Sequence, residues 1–295
     1  MIKKMNLQLF ADANTIKAAD LAKARDVDFT ERFFVSIATL MKMLGVTRKI
    51  EKKAGEVLKA YKVTGTLQNG VVAEGEIIPL SKYNTTYEPI GEAVLKKWRK
   101  ETTAEAISSK GYGQAVNDTN DKMLKDIQKG IRSDFVSFLA TGTGEASGAG
   151  LQAVLAQVWG QLQVLFEDTA VQPVYFLNPL DVADYLGTAQ ISTQTAFGMS
   201  YIENFLGMGT VILASDVPKG KVYATAAENI VLYYIPVTTS DMAQAFDLTA
   251  DATGLVGIHT GATYNNLSAE TVAASGVGLF AEQLDGIVVG TITGA

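Results

Sequence analysis

The chain has 295 residues, 47% of them hydrophobic, which suffices to bury a sizeable core in one large domain or two smaller ones. It contains no cysteine, which excludes disulfides, thiolate chemistry and zinc-finger spacings, and no apolar run approaches the roughly 18 residues of a membrane span, so no membrane partner is expected. The net charge of −6 conceals a polarity: residues 1–132 carry 23 Lys+Arg against 16 Asp+Glu, a net of +7, while residues 133–295 carry 2 against 15, a net of −13. That asymmetry suits a basic region facing nucleic acid or complementary surfaces between copies of the same chain.

Residues 1–27 read as an extended or partly helical arm; the apolar patch at 7–11 is too brief for a signal-peptide core, and synthesis in a cytosol is expected. Asp28 offers a helix N-cap with Glu31 three residues on, and Phe29, Phe33, Ile37, Leu40, Met41 and Leu44 form an apolar stripe that ends at Gly45. Residues 56–64 and 71–87 turn β-branched and aromatic, and Asn69-Gly70 between them is a hairpin signal. So polar a hairpin is marginal alone, so it must lie on another domain or another subunit. Pro79 places its strand at an edge. Lys96, Lys97, Arg99 and Lys100 surround Trp98; a π face beside cations can stack on bases, but a solvated strand edge or a salt-bridging interface outweighs that reading.

The chain is organised around residues 113–139. Val116, Met123, Leu124, Ile127, Ile131, Phe135 and Phe138 recur at helical spacing, and Asp118, Asp121, Lys122, Lys125, Lys129, Arg132 and Asp134 occupy the opposite face. At 1.5 Å per residue this spine spans on the order of 40 Å, too long for a compact local core. The glycine-rich stretch 141–150 ends it and reads as a hinge. Beyond it, 151–166 is helical, 173–177 is a short buried strand, and 180–186 is a helix announced by Asn178-Pro179. Residues 209–214 and 221–224 are strands around a turn at 217–220, and 229–237 is another. The remainder, 248–295, reads as strands that return to pack on the spine.

No catalytic frame is present. The single histidine, His259, lies on a predicted strand without any nucleophile or zinc motif. The run GTGEASGAG lacks the GK[ST] ending of a phosphate loop and follows a helix rather than a strand. Asp181, Asp184, Asp216, Asp241, Asp247 and Asp251 are spread singly. Neither an enzyme nor a cofactor nor a metal site is expected.

Three segments carry a resemblance. The start MNLQLFA at 5–11, the run EGEIIPLSKY at 74–83 with KKWRKETTAEAI at 96–107, and residues 117–144 resemble the major capsid proteins of tailed phages. The likeness covers most of the first 150 residues; the second half matches in order of elements only. It implies an α+β chain of the Hong Kong 97-type capsid fold: an N-terminal arm and short helix over 1–54 and an extended β-hairpin loop over 55–92. A peripheral domain with the spine helix would follow over 93–150 and 236–295, and an axial domain over 151–235.

By that resemblance the chain is a structural protein of the virion capsid that self-assembles, in the host cytoplasm, through hexamers and pentamers into an icosahedral head around double-stranded DNA. A portal protein and a separate scaffolding protein are implied partners, since the chain starts almost at the arm. The runner-up is an encapsulin-type nanocompartment shell; a soluble α+β enzyme or binding protein is a third reading. The basic arm, loop and spine would dock on acidic second halves of neighbours, with Lys59, Lys62, Asn69, Gly70, Glu74, Glu76, Lys82, Lys96, Lys97, Arg99, Lys129 and Arg132 as intersubunit contacts. Some relatives cross-link a loop lysine to an asparagine; Lys59, Lys62, Lys82, Asn265 and Asn266 are available, but spacing does not supply the carboxylate in an apolar pocket that the reaction needs.

Overall fold

The computed structural model describes residues 18–166, 171–188, 193–196, 199–237, 245–250 and 253–293. Its longest elements are helices α1 (Ala18–Leu44) and α3 (Tyr112–Leu139), the second preceded by the short α2 (Ala104–Lys110). Gly111 separates α2 from α3 at φ 79° and ψ 144°, a conformation that glycine adopts without steric cost. The spine stripe is buried as its spacing predicts, through Val116, Leu124, Ile127, Ile131 and Phe135, and it shares one core with Phe29, Phe33, Ile37, Leu40 and Leu44 of α1. Polar ties flank this seam: Arg32 meets Asp121 at 2.7 Å, and Gln128 donates to Ser36 at 2.6 Å.

The start of α1 corrects an expectation. Asp28 is not a cap but an interior residue, paired with Arg32 one turn on at 2.9 Å. The helix extends back to Ala18 through an alanine- and lysine-rich stretch of good helix formers. Asp26, in that stretch, is buried and accepts from Thr260, so tertiary contact fixes what the cap signal had suggested was outside. Residues 1–17 of the expected arm lie outside the described residues.

The largest sheet is built on the buried strand β6 (Pro173–Leu177), a continuous apolar run because both of its faces are covered. Val174 and Phe176 point to the spine, where Phe176 meets the Phe135 ring edge-on at 5.5 Å. Tyr175 and Leu177 point to the other side, under α4 (Leu151–Leu165) and α5 (Pro179–Thr188). Parallel to β6 runs β9 (Thr210–Leu213), followed outward by β8 (Met199–Ile202) and β7 (Gln194–Ala196). On the opposite flank lie β10 (Lys221–Ala226), β16 (Ile287–Thr293) and β5 (Gly144–Ala149).

Strand β5 is a second correction, because the glycine-rich stretch is no hinge: it pairs in parallel with β16 from Gly144–Val288 to Ala149–Thr293. Its small residues let α4 press onto the strand; a Cβ on Gly148 would lie 2.4 Å from the Val154 nitrogen. Both β5 and β16, from segments allotted above to the peripheral domain, thus hydrogen-bond into the sheet formed by strands of 151–235.

Two smaller sheets complete the body. One joins β1 (Lys49–Glu51), β11 (Ile230–Tyr234) and β15 (Gly278–Ala281). The other, in the order β12 (Thr249–Ala250), β13 (Val256–Thr263), β14 (Ser268–Ser275) and β4 (Lys96–Thr103), carries α1 on one face. The C-terminal quarter is therefore strand-rich as expected, with β15 packed near the spine. Among the described residues no helix is long and apolar enough to cross a membrane.

The last sheet is a two-stranded ribbon, β2 (Val57–Thr66) with β3 (Lys82–Glu92), antiparallel from Val57–Glu92 to Thr66–Lys82. The hairpin is real, but its expected turn and second strand are not where the sequence suggested. Strand pairing stops at Thr66 and Lys82, so Asn69-Gly70 lies in a long connecting loop, 67–81, and makes only a local turn in which Asn69 Oδ1 accepts the Val71 N–H at 3.0 Å. The tighter turn is at 73–76, closed by Glu76 N–H to Ala73 O at 3.1 Å with Gly75 at φ 86°. Pro79 is in this loop; the proline within the strand is Pro89, beside a register shift.

Substituting two glycines, one where β5 meets α4 and one on an open part of α4, separates close approach from helix entropy. Gly148→Ala should lower stability by about 1–3 kcal/mol by forcing α4 off β5. Gly160→Ala, where a Cβ meets nothing within 4 Å, should raise it by about 0.5–1 kcal/mol. Urea unfolding of the two variants reads both signs.

Candidate assembly interface

The ribbon is the part of the chain that finds least cover. Its base is held: Leu58 is buried against Val231 and Phe280, and Ala93 N–H bonds Glu56 O at 2.8 Å. Beyond the base the register places Tyr61, Val63, Gly65, Tyr83, Thr85 and Tyr87 on one face, and Lys62, Thr64, Thr66, Lys82, Asn84 and Thr86 on the other. The Tyr83 ring lies across Gly65, where a Cβ would come within 2.3 Å of it. The loop at the end of the ribbon is more exposed still: Val71 is 87%, Ile77 94% and Leu80 93% accessible, with Leu67 and Ile78 beside them. Aliphatic side chains so close together in water are the mark of a contact surface rather than of scattered surface residues.

Each predicted contact residue can now be placed. On the ribbon, Lys59 is exposed beside the register shift, Lys82 opens β3, and Lys62 reaches Asp285 of its own body at 3.6 Å. Asn69, Gly70, Glu74 and Glu76 are exposed in the loop. The carboxylate of Glu76 accepts the Ala73 N–H at 3.4 Å. On the body, Lys129 is exposed on α3 and Lys97 on β4. Lys59, Lys82, Lys97 and Lys129 form no ion pair among the described residues.

The others are engaged within the chain. Lys96 pairs with Asp134 on α3, and Arg99 grips Glu270 with two nitrogens at 2.6 and 3.1 Å. Arg132 sits at 2.7 Å from Asp216, the two side chains only 12% and 17% exposed, which ties the spine to the turn before β10 inside the molecule. Together with Arg48–Glu282 and Lys62–Asp285, these pairs join the basic first half to the acidic second half of one and the same chain. Part of the charge asymmetry is therefore spent on folding.

Strand alternation also dissolves the basic cluster around Trp98. Lys97 and Arg99 face outward, whereas Trp98 packs against the main core. Lys100 turns inward and is half-buried, donating to Val116 O at 3.1 Å and Thr119 Oγ1 at 2.5 Å. Its neighbour across the seam is Asp26, which accepts from Thr260 N and Oγ1 at 3.0 and 2.7 Å. Burial pushes the Asp26 carboxyl up, against the Thr260 bonds and the charges of His259 and Lys100, and pushes the Lys100 ammonium down to about 8. Sequence reasoning missed this polar knot; a lone aspartate in a helix and a lysine in a strand give no local sign that they meet.

His259 lies on β13 as expected, its Nδ1 3.0 Å from the Asp247 carbonyl oxygen. Asp181 caps the turn at Gly220 with a 2.8 Å bond. Asp241 and Asp251 lie outside the described residues. Asn266 donates to Glu101, an exposed carboxylate held below its usual range by Ser268 and Asn266, so it is an ionised acceptor rather than an acid in an apolar pocket.

No protein-family model matches the chain. No curated protein sequence matches it either. Solved structures do. The virus-like particle from Pyrococcus furiosus superposes with a TM-score of 0.51 at 12% identity over 89% of this chain and 97% of that one. The capsid of an empty GTA particle gives 0.53 at 11% identity over 84% and 88%. Mycobacterium phage Patience gives 0.51 at 11% identity over 95% and 91%.

Lys100 makes a testable pH signature. Its pKa falls from 10.5 unfolded to about 8 folded, so between these values the folded chain holds fewer protons and stability rises with pH. Discounted for its half-exposed position, the rise should be about 1 kcal/mol. It should vanish in Lys100→Met, as read by urea unfolding of both proteins at pH 8 and pH 10.

Proposed function

We propose that this chain, which has the Hong Kong 97-type capsid fold, is a shell-forming structural protein and serves as the major capsid protein of a tailed phage. The observation that carries the reading is the ribbon with its uncovered aliphatic loop, a surface that a single copy leaves in water and a neighbouring copy can cover. In this reading the ribbon and loop, 55–92, lie over an adjacent subunit; the spine and the outer strands form the peripheral domain, and the large sheet with α4 and α5 forms the axial one. Hexamers and pentamers of the chain close into an icosahedral head around double-stranded DNA, which is held by non-specific contact. A portal protein and a separate scaffolding protein complete the assembly, which takes place in the host cytoplasm.

Charge supports the same arrangement in a reduced form. Since Lys62, Lys96, Arg99 and Arg132 already have partners within the chain, Lys59, Lys82, Lys97 and Lys129 remain to meet carboxylates of other copies, and Glu74 and Glu76 at the loop remain to meet cations. These are surface charges, so they steer and align rather than supply the bulk of the adhesion.

A second reading, an encapsulin-type compartment that encloses an enzyme rather than DNA, rests equally on the same fold. The contents of the particles decide between the two.

Purified protein should sediment as closed particles visible by electron microscopy, with the ultraviolet spectrum of nucleic acid for a phage head and of protein alone for a compartment. Ile77→Asp with Ile78→Asp should leave folded but unassembled subunits. A native chain that stays monomeric at working concentration contradicts the proposal.

A further inference from the structure

We propose that the ribbon is a hinged strap whose angle to the body is set by a releasable catch, the pair Lys62–Asp285 with its neighbours Tyr61, Glu282 and Gln283. The inference needs the fold alone and holds whichever shell the chain builds.

The ribbon is mounted at two places. The lower mount is its base, where Gly55 N–H bonds Ala93 O at 2.9 Å, Ala93 N–H bonds Glu56 O at 2.8 Å, and Leu58 is buried among Val231 and Phe280. Packing and paired backbone bonds make this mount firm. The upper mount, at Tyr61 and Lys62, is of another kind. Tyr61 N–H bonds Glu282 O at 2.8 Å, Gln283 Nε2 reaches the Tyr61 hydroxyl at 3.4 Å, and Lys62 lies 3.6 Å from Asp285. Beyond Lys62, no hydrogen bond or ion pair joins the ribbon to the body among the described residues.

Between the mounts the ribbon is weak. The strand register shifts between Leu58 and Lys59, opposite Pro89, which cannot donate to the ladder, and Gly91 adopts φ 156°. A bulge next to a proline and a glycine is where a two-stranded ribbon bends most cheaply.

The upper mount also lacks packing beneath it. A hollow of about 350 Å³ lies between ribbon and body, walled by Ala60, Tyr87, Glu88, Thr143 and Leu284 around the catch. A second hollow, of about 170 Å³, also borders Tyr61, Lys62 and Asp285 and is lined by Val63, Leu165 and Gly286. A strap resting on tightly packed side chains has one position; one that borders two hollows and is held there by three polar contacts can rock once those contacts open. The ion pair is the salt-sensitive member of the three, since both of its side chains are partly in water. With the catch closed the loop is presented at one angle; with it open the ribbon swings about the bulge.

The cysteine-free sequence allows a direct test. Asn84→Cys on the free part of β3 and Lys125→Cys on the spine are spin-labelled, the labelled chain is diluted with unlabelled chain, and the intramolecular distance distribution is measured by pulsed electron resonance. Asp285→Asn should broaden the distribution about twofold, as loss of a closing contact widens the sampled angles. Molar salt should do the same to the native chain and add nothing to Asp285→Asn. The exchanged pair, Lys62→Glu with Asp285→Lys, should restore the narrow distribution, which a merely damaged fold would not. Equal widths in the native chain and Asp285→Asn, or no recovery in the exchanged pair, overturns the proposal.

Discussion

Apolar surface left in water costs about 25 cal/mol for every Å² that burial would have removed. Most of this chain obeys that constraint without help. The spine, α1 and the inner side of the large sheet close one core, and α4 and α5 close another on the outer side. Single apolar side chains of the body, such as Val164 and Leu180, are exposed, but among the described residues the ribbon and its loop hold the longest run of them. The ribbon's pairing gives it a tyrosine and valine face that is exposed beyond Tyr61, and its loop adds five exposed aliphatic side chains. A fold that packs β6 on both faces and yet extends aliphatic residues into solvent offers those residues to a partner outside the single chain. The uncovered loop is thus a second, independent ground for the proposed assembly beside the capsid-type fold.

The electrostatics divide in the same way. The largely covered Arg132–Asp216 pair and the two-pronged Arg99–Glu270 contact are internal fastenings between segments far apart in the sequence, linking α3 and β4 to the acidic second half. Lys62–Asp285 is a weaker fastening, at the only point where the free part of the ribbon touches the body through polar groups among the described residues. Firm contacts thus hold the body, and a loose one holds the exposed ribbon. Charge without an internal partner includes Lys59 and Lys82 on the ribbon, Lys97 on the outward side of β4 and Lys129 on the exposed face of the spine.

What was legible in the sequence was whatever periodicity decides. The spine, α4, β6 and α5 fell where their apolar spacing put them, because each buries a face whose period its own residues declare. Three features were misread because tertiary contact outweighed local chemistry. Asn69-Gly70 permits a tight turn, but pairing over 57–66 and 82–92 fixed the register and left that dipeptide in a loop. Glycine, alanine and serine in β5 have little strand preference, and β16 imposes a strand where only small residues let α4 approach. Asp28 looked like a cap, yet α1 continues past it to where Asp26 docks on Thr260. Of the proposed interface the sequence offered charged candidates such as Lys59, Lys82, Glu74 and Glu76, which the structure leaves exposed, but not the loop's aliphatic residues or Asp285, since nothing local marks a residue as uncovered.

The central claim is that the ribbon's loop is covered only by another copy of the chain. Hydrogen–deuterium exchange of residues 67–81, compared between intact particles and dissociated subunits, tests it most directly. The account predicts fast exchange in the subunits and strong protection in the particles; equally fast exchange in both would contradict it.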